Sequence, residues 1–324
     1  MPNPILRSFL CAIGALLIPA AAFSQTYPIR SIRVIVPLPP GGSADFHARL
    51  VADRMSQTFG QPVLIENRPG AGGAIGVAQI AKAPPDGYTI GVGPAGAMSI
   101  NVSLTRAPYD PIKDFAPISG ITRNAFLIVV SPSSPLKTLK DLLAYAKANP
   151  GKLSYASVGI GSGQHLAGEL FNTVADVSIV HVPYKGAAES ATAVMGGQLP
   201  LAFISPGGLL HLVRSGKLRV LAGTDTERVT TLPDVPTAAQ AGLPGYAATG
   251  WLSLFAPAGT PRDIVSRLNT EVVRVLRLPD VVERVVENGE EANPTTPEEL
   301  GRFVRSEIDK WAKVIKAANI HVEQ

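Results

Sequence analysis

The segment with the most capacity for chemistry is Pro37-Leu38-Pro39-Pro40-Gly41-Gly42-Ser43-Ala44-Asp45. A strand pattern ends there, two glycines let the backbone approach a ligand closely, and a helix pattern starts. Free N–H groups at a helix start, together with the helix dipole, favour a bound anion. Ser43 adds a hydroxyl donor, and Asp45 either orients the loop or accepts from a ligand hydroxyl. The alternative is a capped turn in which Asp45 pairs with Arg49 one turn later. A second loop of the same build lies in the other half: Ser157-Val158-Gly159-Ile160-Gly161-Ser162-Gly163-Gln164-His165. It too follows a strand pattern and precedes a helix, with two hydroxyls and three glycines where backbone amides would point outward. One such loop per half would let two lobes hold a carboxylate between helix starts without a buried arginine. Two unrelated tight turns are the other reading.

Further motifs are weaker. Gly91-Val92-Gly93-Pro94-Ala95-Gly96 matches a dinucleotide fingerprint, but Pro94 interrupts the loop, and we read it as a wall of the cleft. His165 and Glu169 share a helix face at metal-pair spacing without a third ligand, so a satisfied polar pair is the better reading. His47, His181, His211 and His321 read as surface or lobe-edge residues. Gly161-Ser162-Gly163 lacks the glycine spacing of a nucleophile elbow, which disfavours a serine hydrolase. Tyr184 and Lys185 end a strand near the expected rim. Trp251 reads either as core or as a lid on an apolar ligand part. The candidate ligand-binding set is Pro40, Gly41, Gly42, Ser43, Asp45, Ala95, Ser157, Gly161, Ser162, Gly163, His165, Tyr184 and Ser205. No catalytic, metal or cofactor site is assembled.

Positioning these loops requires alternating strands and helices. Strand patterns cover Ile32–Val36, Pro62–Glu66, Tyr88–Val92, Phe126–Val130, Leu153–Ala156, Ile179–Val182, Leu201–Ile204 and Leu218–Ala222. Helix patterns fall near Ala44–Phe59, Ile75–Ala83 and Leu166–Phe171. Thr138 with Asp141 reads as a helix cap, and Thr296-Pro297-Glu298-Glu299 as a capping box. The latter opens a helix whose Leu300, Phe303, Val304, Ile308, Trp311 and Ile315 form a core stripe. The proline-rich and glycine-rich passage Thr231–Gly245 reads as a crossover.

The chain has 324 residues, 46% hydrophobic and 17% charged, which suits about two globular domains. Residues 1–24 read as a secretory signal peptide, with Arg7, an apolar run from Phe9 to Ala22, and cleavage after Ser24. Cys11, the single cysteine, lies inside it, so disulfides, thiolate metal sites and cysteine catalysis are excluded from the mature chain. A net charge of +4 without a lysine and arginine cluster argues against nucleic acid.

The run Ile35-Val36-Pro37 through Pro39-Pro40-Gly41-Gly42, with Asp45 and Ala48-Arg49, resembles the Bug family, the substrate-binding receptors of tripartite tricarboxylate transporters. So do Glu66 to Gly73, Pro85-Asp86-Gly87-Tyr88-Thr89, Gly161-Ser162 with His165, Val182 to Gly186, Ala256 to Pro261, and Lys310-Trp311. The resemblance runs unbroken from about Tyr27 to the C-terminus. It implies a two-lobed periplasmic binding fold with a two-segment hinge, and a ligand carboxylate held by loops like Pro39–Asp45 and Ser157–His165, partly through water. One departure stands out. After Gly196-Gly197-Gln198 the family usually carries a valine-aspartate pair and a further acidic or polar residue, where this chain has Leu199-Pro200-Leu201-Ala202-Phe203-Ile204-Ser205. With those groups absent, and if they face the cleft, a ligand ammonium has less compensation.

The expected fold is therefore α/β, a type II-like binding protein in which each lobe is a mainly parallel sheet flanked by helices. Residues 25–124 and 227–324 would form lobe 1, and 125–226 lobe 2. The expected function is periplasmic capture of a small carboxylate, a dicarboxylate or an aromatic or hydroxylated acid, by a monomer that presents it to membrane permease subunits. The alternatives are a ligand-sensing receptor for a sensor kinase, or an exported α/β hydrolase or dehydrogenase.

Overall fold

The computed structural model describes residues 27–104, 107–207, 209–317 and 320. The expected signal peptide, Cys11 and His321 lie outside the described residues. The first elements are β1 (Ile32–Val36), α1 (Ser43–Phe59), β2 (Val63–Asn67), α2 (Ala74–Ala81), β3 (Thr89–Pro94), a π-helical turn (Gly96–Ile100), α3 (Asn101–Leu104) and β4 (Phe115–Ala125). There follow β5 (Leu127–Val130), α4 (Leu139–Ala148), β6 (Leu153–Ser157), α5 (Gly163–Ala175), β7 (Ile179–Pro183), α6 (Ala187–Met195), β8 (Leu201–Ile204), α7 (Leu210–Arg214) and β9 (Arg219–Gly223). The last described elements are β10 (Thr249–Pro257), α8 (Arg262–Leu276), α9 (Pro279–Glu287), β11 (Glu291–Ala292) and α10 (Pro297–Ala317).

Local chemistry explains most of these elements. β5 and β8 are continuous apolar runs, buried at every residue, as suits interior strands covered on both faces. Thr138 and Asp141 form the reciprocal capping box that opens α4. Thr296 and Glu299 do the same ahead of α10: the Thr296 N–H donates to Glu299 Oε2 at 2.9 Å, and the Glu299 N–H to Thr296 Oγ1 at 3.2 Å.

Among the described residues eleven strands divide between two sheets, β11-β4-β10-β3-β1-β2 and β7-β6-β8-β5-β9. The α/β, two-lobed class is as expected, but the sheets are mixed rather than mainly parallel. Pairs β3-β1-β2 and β7-β6-β8 are parallel, as successive β-α-β units require, whereas β10 and β5 are antiparallel to both neighbours. These two are the strands that follow the passages of the chain between sheets.

Those passages are short and lie side by side. β4 runs into β5 through Phe126, and Ala248 precedes β10. Thr224, fully buried, ties both together: its hydroxyl accepts from the Phe126 N–H at 2.8 Å and donates to the Ala248 carbonyl at 2.5 Å. Beside it, Arg123 pairs with Asp225 at 2.5 Å.

The passage Thr231–Gly245 is more than a crossover. Ala238 and Leu243 within it, and Tyr246 and Ala248 just after it, are buried with Phe126, Ile128 and Phe171 in the core of the second sheet, and the Tyr246 hydroxyl donates to the Ala167 carbonyl at 2.9 Å. Its apolar residues follow neither helical nor strand spacing, which hides them from a periodicity reading. The α10 stripe is core, as expected, but serves two cores. Leu300 and Val304 pack with Trp251 and Phe255 against the first sheet, while Trp311, Val314 and Ile315 pack with the second. Trp251 is itself core, 2% exposed, and its indole N–H donates to Glu307 at 3.3 Å; the Trp311 indole donates to the same carboxylate at 3.0 Å.

Candidate ligand-binding site

The first glycine loop leaves the C-terminal end of β1 and enters α1. Gly42 caps the helix in an extended conformation with no side-chain hydrogen bond, so the opening amides of α1 are not consumed by a capping oxygen. Asp45 organises the loop. Its carboxylate accepts from the Gly41 N–H at 3.0 Å, from Arg49 at 3.0 Å and from the Asn67 amide at 3.0 Å. Burial alone would raise the Asp45 carboxyl, but the hydrogen bonds from Arg49, Gly41 and Asn67 outweigh it and hold the group below the usual carboxylate range. The Asp45–Arg49 pairing of the capped-turn reading is present, and it shapes the corner at the start of α1.

The second loop leaves β6 and enters α5, and its side chains also serve the loop itself. Ser162 caps α5, accepting from the His165 N–H at 3.2 Å and donating to the Gly159 carbonyl at 2.7 Å. Ser157 is fully buried, accepts from the Gly159 N–H at 3.1 Å and lies 2.6 Å from His181 Nε2. His165 Nδ1 accepts from the Gly161 N–H at 3.2 Å. The hydroxyls of this loop are thus already engaged, which leaves the backbone around Gly163 as the part that could meet an anion.

His165 and Glu169 do not form the expected pair. Tyr155 stands between them, its hydroxyl 2.7 Å from Glu169 Oε1 and 3.0 Å from the His165 carbonyl. His165 stacks on His181 instead, ring centroids 4.0 Å apart. His181 is therefore a partner of the loop and half-buried, and His47 is fully buried beside the other lobe; of the two alternatives read from sequence, surface or lobe edge, neither is a free surface residue. His211 is exposed, as read.

Burial lowers His165 to about 4, and burial followed by the neighbouring His165 lowers His181 to about 3. An unfolded histidine titrates near 6.5, so as pH falls the unfolded chain takes up protons first. This stability is complete above about pH 7 and is lost as pH drops below about 6.5 toward 4. His165 alone is expected to withdraw about 1.6 kcal/mol of unfolding free energy between pH 6.5 and pH 5. Urea denaturation at those pH values checks it: a His165→Gln variant should lose less stability over the window than the parent, and equal losses would refute the assignment.

Contacts across the two sheets bring the loops together. A Cβ on Gly96, just after Ala95, would lie 3.4 Å from the Gly161 carbonyl oxygen, and a Cβ on Gly161 would lie 2.6 Å from Asn101 Oδ1. On the other flank a Cβ on Gly207 would lie 3.5 Å from Ser43 Cβ. Ser205, two residues before Gly207, accepts from Gln164 of α5 at 2.9 Å. The Tyr184 N–H donates to the Ser157 carbonyl at 3.0 Å, placing Tyr184 beside the second loop. Ala95 and Gly161 thus lie on one flank of the seam between the lobes and Ser43 and Ser205 toward the other, with Pro40 and Gly41 exposed on the first-loop side.

The Leu199–Pro200 departure does not belong to this junction. In the parallel register Tyr155 pairs with Leu201, which puts Leu199 and Pro200 at the start of β8, the end opposite Ser157 and Ser205. The missing valine-aspartate pair therefore has no bearing on a ligand ammonium at this junction; of the departing stretch, the end at Ser205 is the part that reaches it. Sequence reasoning also missed Glu290, whose carboxylate accepts from the Ser43 hydroxyl across 247 positions of chain. No local signal marks it. Among the described residues no group of three or more His, Cys, Asp or Glu is placed to hold a metal, and no helix is long and apolar enough to cross a membrane.

Two α/β lobes on a paired hinge, each offering a glycine-rich helix start to a shared junction, define a two-lobed solute receptor of the type II periplasmic binding class. The profile described as Tripartite tricarboxylate transporter family receptor matches residues 47–320. Protein BugT of Bordetella pertussis is 36% identical over 314 residues, spanning 96% of this chain and 95% of BugT. The chain belongs to the Bug/TctC family of periplasmic receptors for tripartite tricarboxylate transporters, and it is a solute-binding protein rather than an enzyme. Rpa4515 of R. palustris, solved with adipate, is similar at a TM-score of 0.84 and 38% identity over 91% of this chain and 99% of that one. MatC of Rhodopseudomonas palustris, solved with bound malate, follows at 0.80 and 35%, over 89% of this chain and all (100%) of MatC.

Proposed function

We propose that the junction captures a small carboxylic acid, a dicarboxylate or an aromatic or hydroxylated acid, and that the closed receptor presents it to the permease subunits of its transporter. The observation that carries this reading is that each helix start lies against the opposite lobe: Gly161, ahead of α5, sits beside Gly96, and Ser43 of α1 sits beside Gly207. Amides at helix starts stabilise an anion without a buried cation. Adipate and malate in the two solved relatives are acids of this size. The ligand would touch Gly41 to Asp45 first, and Ser157 to His165 would complete its shell as the lobes close. Only contacts made in the closed form drive that population shift.

We place the lobes at residues 27–125 with 249–317, and 126–248. The segment 227–248 goes to the second lobe because Tyr246 and its neighbours are part of that core. The receptor acts as a monomer, and transport is favoured over sensing because the matching family is one of transporter receptors.

A thermal-shift screen against adipate, succinate, malate, hydroxybenzoates, aspartate and glutamate tests the reading. A native-state ligand at a hundred times its Kd contributes about 2.7 kcal/mol, a shift of several degrees. Stabilisation by carboxylic acids is expected. Silence of every acid, or stabilisation by aspartate or glutamate alone, would overturn it.

A further inference from the structure

Glu290 occupies the turn between α9 and β11, far in sequence from both glycine loops. Its side chain is 1% exposed, yet it meets both lobes. One oxygen, Oε1, accepts from the Ser43 hydroxyl, and would lie 3.1 Å from a Cβ on Gly207. The other, Oε2, has no hydrogen-bond partner and lies 3.7 Å from His47 Nδ1. Gly289 permits the approach: its φ is +79°, and a Cβ there would come within 2.7 Å of Pro206 and Leu210 of the second lobe.

The donor and acceptor inventory then fixes what Ser43 can do. A serine hydroxyl carries one proton, and a carboxylate only accepts. The Ser43 proton therefore goes to Glu290. His47 Nδ1 is 2.8 Å from the Ser43 carbonyl and 3.2 Å from Ser43 Oγ, so its N–H serves those oxygens and supplies no acceptor for the Ser43 proton. Ser43 has no proton left for a ligand carboxylate. It offers the junction a lone pair, backed by a buried carboxylate.

We propose that Glu290, by taking the Ser43 proton, makes this corner a hydrogen-bond acceptor, so that the receptor selects acids bearing a hydroxyl next to the carboxylate over their unsubstituted counterparts. The inference rests on the carboxylate reading of the junction and names the ligand class within it. The ligand carboxylate takes the amides at the α1 start, and its hydroxyl donates to Ser43 Oγ. An unsubstituted acid leaves that lone pair unmatched in a closed, desolvated corner, which costs affinity. Glu290 acts through Ser43 and is a positioning residue.

Calorimetric titration of matched acids tests this, beginning with malate and succinate and continuing with the strongest acid of the thermal-shift screen and its hydroxylated analogue. The parent protein is expected to favour the hydroxylated member by about tenfold, the worth of one well-made hydrogen bond in a desolvated site. In Glu290→Gln the side-chain amide can donate to Ser43 Oγ, freeing the Ser43 proton to turn toward the ligand. The preference should then fall below about threefold, and Ser43→Ala should lose it as well. A purely structural role for Glu290 would weaken both acids and leave their ratio intact. No preference in the parent, or a full preference in Glu290→Gln, overturns the proposal while leaving carboxylate capture standing. If no acid binds the parent at all, both readings fall together.

Discussion

Gly42→Val is expected to abolish carboxylate capture while leaving the ligand-free protein as stable as before. Gly42 has φ −82° and ψ 172°, a conformation that any residue adopts, and its carbonyl accepts from the Phe46 N–H at 3.0 Å whatever its side chain. A Cβ there has one heavy atom within 4 Å, the Pro39 carbonyl oxygen at 3.7 Å. The fold therefore tolerates the branch, which projects instead into the space in front of the α1 amides. We expect a loss of at least about 100-fold in affinity, or about 2.8 kcal/mol. The melting temperature of the free protein should stay within about 2 °C, as for most surface substitutions. Gly41 next door is the contrast. Its φ is +80°, so Gly41→Val strains the backbone by about 1–3 kcal/mol and should lower that melting temperature. Calorimetry and thermal melts on the two variants separate the effects. Affinity unchanged in Gly42→Val would place the anion away from the α1 start.

Gly161→Val should uncouple binding from closure. Gly161 has φ +77°, where a β-branched residue is strained, and its Cβ would stand 2.6 Å from Asn101 Oδ1 on the facing lobe. Unlike Gly42, the obstacle here is the opposite wall of the junction. Either the second loop distorts or the lobes stay apart, and in both cases the α5 amides no longer meet the ligand. We expect affinity to fall by about 100-fold, because a ligand drives closure only through contacts that the closed form provides. Small-angle scattering at saturating ligand should show the parent compacting and the variant not. Compaction of the variant equal to that of the parent, with affinity within about threefold, would show that Gly161 does not lie on the closing path.

Both glycine loops were legible because their signals are local. Glycines flanking a helix start and alternating strand and helix spacing each act within a few residues, and α1, α4 and α10 begin within a residue or two of where their caps indicate. β4 was not legible. Its Pro117 and Gly120 weaken any strand pattern, and it exists because β10, more than a hundred residues later, pairs along its length from Ala125 to Phe115. The passage Thr231–Gly245 was misjudged for a related reason, since its buried residues answer to the shape of a distant core and not to a period. His181 was read only as a surface or lobe-edge residue because nothing near it in sequence announces His165, on which it stacks.

The amino-acid sequence by itself determined that two anion-favouring helix starts exist, one in each half, because backbone amides and turn glycines need no distant partner to form them. Only the tertiary structure decided that each faces the opposite lobe, Gly161 against Gly96 and Ser43 against Gly207. It also decided what sits between them. Glu290 takes the Ser43 proton, and Leu199–Pro200 lies at the far end of β8. Proximity across such chain separations is set by packing, which short-range periodicity does not encode.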